Sequence, residues 1–123
     1  MILHIETSTK ICSVALSKNG ELFDFIETSS DQFIHGEQLT VMIDQLLKRN
    51  STDIKSLLAI SFSLGPGSYT GLRIGLATAK GLCFALDIPL ITLNTLKIMA
   101  NAWKDIPKNT LLLPMMDARR MEV

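Results

Sequence analysis

No sign of charge predominates in this chain: twelve Lys and Arg balance twelve Asp and Glu. A dedicated electrostatic grip on nucleic acid is thereby disfavoured, because a basic excess is its usual footprint. Cysteine is scarce. Cys12 and Cys83 form no CxxC pair, so they read as buried, reduced thiols, and with His4 and His35 they fall short of a metal set. No apolar run approaches the length of a membrane span. The opening Met-Ile-Leu-His-Ile-Glu lacks the basic start and small-residue cleavage site of a signal peptide. HExxH, HxxxH and GxSxG are all missing. The expectation is a soluble cytoplasmic protein without the common hydrolase signatures.

What is present suffices for a core. A chain of 123 residues, 47% of them hydrophobic, fits one domain and argues against disorder. Area scaling predicts roughly 6,600 Å² exposed after folding.

The first 28 residues read as a three-stranded meander. Ile2 to Glu6 is a short apolar run. Cys12, Val14 and Leu16 alternate with Ser13, Ala15 and Ser17, which is strand period. Asn19-Gly20 suits a type I′ turn, and Leu22 to Thr28 returns. Thr28 to Asp31 reads as a loop. Leu39, Met42, Ile43, Leu46 and Leu47 form one apolar stripe of a helix from His35, with Asn50 as its left-handed cap. Leu57 to Leu64 is an apolar strand, and a helix runs from Ser68 to Leu86. Leu90 to Leu93 is a strand. Asn94 or Thr95 caps a third helix with Leu96, Met99, Ala100 and Trp103 on one face. Leu111 to Met116 reads as a last strand. The order βββαβαβα implies an α/β fold: a mixed sheet with helices on both faces, as in a ribonuclease-H-like lobe.

The glycine-rich segment Gly65 to Gly71 joins a strand to a helix, the setting of phosphate loops. A P-loop needs Lys and a hydroxyl residue after its last glycine, but Leu72 and Arg73 follow Gly71. The spacing GxGxxxG also departs from the dinucleotide fingerprint, and Pro66 removes a backbone donor. The remaining reading is a tight turn with a close-packed helix start. The helix itself is apolar nearly all round. Leu72, Leu76, Ala79, Cys83 and Leu86 form one stripe, and Ile74, Ala77, Gly81 and Ala85 a second. Such a helix is buried on more than one side. With the small-residue ridge Gly71, Gly75 and Ala79, this favours a contact surface. Val41 extends that face.

Four stretches, Ile5 to Thr9, Gly65 to Gly75, Ala79 to Leu82 and Asp117 to Arg119, together resemble the TsaB (YeaZ) family of bacterial threonylcarbamoyl-adenosine biosynthesis proteins. The run from Gly65 to Gly75 is the specific one. The resemblance implies an actin-like fold of the sugar-kinase and heat-shock-ATPase kind, built of two ribonuclease-H-like lobes. Residues 1–106 would form the N-terminal lobe. Residues 107–123 would be a linker and the first strand of a truncated second lobe.

The family role so implied is a non-catalytic scaffold or activator in modifying the adenosine beside the tRNA anticodon. Its implied partners are the catalytic subunit TsaD and the ATPase TsaE, with a homodimer when alone. tRNA would be reached only through the complex, and no membrane is involved. TsaD carries a metal-binding histidine pair, and the matching positions here hold Thr95 and Met99, which cannot replace it. No catalytic residue, metal or cofactor is therefore implied, although nucleotide binding at a subunit interface stays open. Family subunit contacts use the helices at 35–50 and 68–86. This assigns Leu39, Val41, Met42, Leu46, Tyr69, Gly71, Ile74, Gly75 and Ala79 to a partner interface. Glu6, Thr7 and Ser8 occupy the turn that holds phosphate in actin-like ATPases, here without a glycine, and are candidates for anion binding. The rival expectation is a nucleotide-dependent small-molecule kinase of the same superfamily, which this altered turn argues against.

Overall fold

The computed structural model describes residues 1–29, 35–118 and 123, with backbone only at 35 and 37. The meander comprises β1 (Ile2–Glu6), β2 (Ile11–Lys18) and β3 (Glu21–Ser29). Asn19 and Gly20 both adopt positive φ, 55° and 83°, as a type I′ turn requires. β3 runs past Thr28, the expected end of the returning strand, to Ser29, which the sequence had assigned to a loop; the rest of that loop lies outside the described residues.

α1 (His35–Arg49) follows, then a 3₁₀ turn at Ile54–Ser56, β4 (Ala59–Gly65) and α2 (Tyr69–Leu86). β5 (Leu90–Asn94) and α3 (Thr95–Asn101) complete the regular structure. The left-handed residue after α1 is Ser51, φ 48°, rather than Asn50. Asn50 instead stays bonded to the helix, its N–H donating to Leu46 O.

The sheet order is β3-β2-β1-β4-β5, antiparallel through the meander and parallel from β1 to β4 to β5. This is the ribonuclease-H-like arrangement expected from the element order. Alternation assigns the faces. Leu3, Ile5, Cys12, Val14, Leu16, Ile60 and Phe62 share one core cluster with the α1 stripe and with Ala79 and Cys83 of α2. Both long helices therefore cover the same face. On the other face α3 places Ile98 beside His4, Ser61 and Ser63.

Two expectations fail at the C-terminal end. α3 stops at Asn101, and Trp103 is 71% exposed rather than on an apolar helix face. Leu111 to Met116 forms no strand, and Leu111 and Leu113 are exposed. A strand exists only where a neighbour supplies ladder bonds, and none is offered among the described residues. The chain accordingly exposes 8657 Å², well above the roughly 6,600 Å² that area scaling predicts.

Candidate functional site

The two most distinctive sequence stretches meet in space. β1 ends at Glu6, and the buried turn Thr7-Ser8 passes beneath the glycine loop and the start of α2. Thr7 Oγ1 donates to Gly71 O at 2.8 Å, and Ser68 N–H donates to Ser8 O at 2.6 Å. Ser68 caps α2, its Oγ accepting from Gly71 N–H.

Three glycines make this approach possible. A Cβ on Gly67 would lie 2.5 Å from Ser8 O and 2.6 Å from Ser8 Cβ. One on Gly71 would strike Thr7 O, and one on Gly75 would strike Thr7 Oγ1 and come within 2.6 Å of Phe62 Cε2. Gly65 at φ +120° turns the chain out of β4, a conformation few side chains allow. The glycine loop therefore docks a helix onto a turn.

This geometry corrects the anion-binding expectation for Glu6, Thr7 and Ser8. Ser8 N–H already donates to Glu6 Oε1 at 2.7 Å, so a carboxylate fills the place of a bound anion. A second negative charge there would be repelled. Thr7 and Ser8 are also closed off from solvent, at 0% and 2% exposure.

The partner-interface set divides. Leu39, Met42 and Leu46 lie in the core, and Gly71, Gly75 and Ala79 form the ridge of α2 that faces the sheet. These six are corrected from partner contacts to internal packing. Each large apolar side chain among them contributes about 1.5–3 kcal/mol through that burial, which exposure would forfeit. Ile74 is half-buried against the same core. Val41 and Tyr69 do reach the surface, at 51% and 73% exposure.

The exposed side of α2 combines Ala77 and Gly81 of the second stripe with Phe84, which the stripe analysis passed over. Phe84 is 92% exposed, and Arg73, Ala77, Lys80 and Gly81 share its side of the helix. Arg73 Nη1 donates to the Tyr69 hydroxyl at 2.9 Å, and its guanidinium carbon lies 5.2 Å from the ring centroid. A groove of about 550 Å³ opens beside this pair, between the glycine loop and the end of β5. The signal for Phe84 was available: it belongs to neither apolar stripe.

On the opposite sheet face His4 bridges two strands. Its Nδ1 lies 2.6 Å from Ser61 Oγ and its Nε2 2.7 Å from Ser17 Oγ. Burial holds its pKa below the ordinary value of 6.5, favouring the neutral ring. Cys12 and Cys83 are free and buried, and desolvation raises both thiols, with Glu6 adding to the effect at Cys12. Thr95 is buried without a hydroxyl partner, and Met99 is 40% exposed. Among the described residues no group of His, Cys, Asp or Glu is placed to hold a metal ion, and no helix is long and apolar enough to cross a membrane.

Known proteins resemble this chain across its length. TsaB of Haemophilus influenzae, a tRNA threonylcarbamoyladenosine biosynthesis protein, is 36% identical over 99% of this chain and 51% of its own. The Escherichia coli protein of the same name is 37% identical over 99% of this chain and 52% of its own. The solved structure of YeaZ from Pseudomonas aeruginosa superposes with a TM-score of 0.75 at 34% identity, covering 82% of this chain and 46% of that one. The chain thus spans about half the length of the curated relatives it matches. Residues 30–123 match the family described as "TsaD: tRNA N6-adenosine threonylcarbamoyltransferase". With the fold, the glycine loop and these relatives in agreement, the chain belongs to that family and is similar to its TsaB (YeaZ) members.

Proposed function

We propose that this chain is the N-terminal lobe of a non-catalytic subunit in tRNA threonylcarbamoyladenosine biosynthesis, and that it binds and activates the catalytic subunit TsaD. The observation that carries this reading is the outward side of α2. Its inward ridge is consumed by its own sheet, yet Phe84 and Tyr69 remain exposed at 92% and 73%. Aromatic side chains beside an arginine, with polar neighbours, are the composition of a protein interface core. The revised contact set is Val41, Tyr69, Arg73, Ala77 and Phe84, with Ile74 at its margin. The ATPase TsaE, a homodimer in the absence of TsaD and a cytoplasmic location belong to the same reading.

Thr95 and Met99 at the positions of the metal-binding histidines support the non-catalytic role. The kinase alternative is weakened by the turn after β1, where Glu6 occupies the Ser8 N–H that a phosphate would need.

Co-purification of the chain with TsaD tests the proposal, together with a reconstituted tRNA modification assay. Phe84→Asp should abolish co-purification and activation while leaving the circular dichroism of the chain unchanged. Full retention of both by Phe84→Asp with Tyr69→Ala would refute the assignment.

A further inference from the structure

β3 ends the sheet order, so among the described residues one of its edges has no neighbouring strand. In an antiparallel ladder the N–H and C=O of one residue point to the same side. At Phe25 both are engaged outside the ladder. Its N–H donates to Asp24 Oδ1 at 2.9 Å, and its C=O accepts from Arg49 Nη2 at 2.8 Å. Arg49 also clasps Asp24 through two bonds, Nε to Oδ2 at 2.8 Å and Nη2 to Oδ1 at 2.7 Å. Asn50 Nδ2 completes the bracket, donating to Asp24 Oδ2 at 2.6 Å and to Leu46 O at 2.8 Å. The C-terminal end of α1 thus reaches round the sheet and closes its edge.

The strand beneath this bracket is otherwise suited to pairing. It has nine residues and contains no Pro, Lys or Arg, and it runs regularly from Asp24 to Ser29, past a bulge that leaves Phe23 without a partner on β2. Leu22, Phe23 and Phe25 are about half exposed or more. We infer that the Asp24–Arg49–Asn50 bracket blocks the β3 edge against pairing with β3 of a second copy of this chain. The copy is the fitting occupant because of register. A two-fold antiparallel pairing centred on Phe25 exchanges the N–H and C=O of that residue, the very groups the bracket occupies. It stacks Phe25 on its counterpart and sets Asp24 opposite Ile26 within the regular part of the strand, so no carboxylate meets another there. A register centred on Asp24 would set that carboxylate opposite its own copy, which like-charge repulsion disfavours.

The inference uses none of the residues of the proposed TsaD contact, so either can fail alone. The test is the mass of the chain in solution by light scattering, compared with the parent at equal concentration. Arg49→Met should raise the mass above the parent's at the same concentration, because each chain gains a second, β3–β3 contact, and slow amide exchange at Phe25. Adding Phe25→Lys sets two ammonium groups opposite each other and should restore the parent mass. An unchanged mass in Arg49→Met overturns the inference. So does a raised mass that persists with Phe25→Lys, because assembly would then use another surface. Should Arg49→Met fail to fold by circular dichroism, Arg49→Ala, which also frees the Phe25 carbonyl, takes its place in the same pair of measurements, read by the same outcomes.

Discussion

Replacing Gly75 with alanine separates two opposing physical effects within one helix. An alanine in a helix interior is favoured over glycine by about 1 kcal/mol. At Gly81, where a new Cβ meets nothing within 4 Å, that gain stands alone. Gly81→Ala should therefore stabilise the chain by about 1 kcal/mol. At Gly75 the same Cβ runs into Thr7 Oγ1 and the Phe62 ring, both buried and unable to yield. Overpacking of this kind costs about 1–3 kcal/mol. Displacing Thr7 also strains its bond to Gly71 O, worth about 1 kcal/mol. After the helix gain is subtracted, Gly75→Ala should destabilise by about 1–3 kcal/mol. Urea unfolding followed at a helical circular-dichroism band measures both variants. Their midpoints should separate by about 1 M or more, with little change in slope. Equal shifts in the same direction would refute the claim that the small-residue ridge is pressed against the β1 turn.

Other outcomes follow from the same structure. Gly71→Ala should cost at least as much as Gly75→Ala in the same assay, because its Cβ meets the Thr7 backbone carbonyl rather than a side chain. His4 has a depressed pKa, so the unfolded chain binds its proton more readily than the folded one. Its contribution is complete above the unfolded value of 6.5 and is lost as pH falls through that value toward the folded one. Unfolding between about pH 7 and pH 5 should show this slope, reduced in His4→Asn. Phe62→Ala should destabilise by about 3–5 kcal/mol as a cavity forms, whereas Phe84→Ala should stay within about 0.5 kcal/mol of the parent. Cys12 and Cys83 should resist alkylation in the native chain and react together in urea, as read by mass spectrometry.

Legibility in the sequence varied with the range of the interaction. The type I′ turn at Asn19-Gly20 and the cap of α3, which falls on Asn94 of the two residues offered for it, are decided by neighbouring residues, and both appear where expected. The α1 stripe was legible because only one side of that helix is apolar. α2 offered two apolar stripes, and nothing local distinguishes the side that meets a sheet. Glycines at Gly71 and Gly75 suit either a partner helix or the turn Thr7-Ser8, and the second proved to be the case. The Asp24–Arg49 bracket joins residues 25 positions apart, beyond any periodic pattern.

Composition, alternation and turn chemistry by themselves determined the element order, because periodicity and turns depend on contacts within a few residues, and the buried thiols and the mixed sheet were inferred from that apolar pattern and order. The tertiary structure alone decided which stripe of α2 turns inward. It also decided that the turn Thr7-Ser8 lies beneath the glycine loop, and that Leu111 to Met116 forms no strand. Those outcomes depend on which residues far apart in sequence meet: a backbone turn lies under the glycines of α2, and among the described residues no strand lies beside Leu111 to Met116.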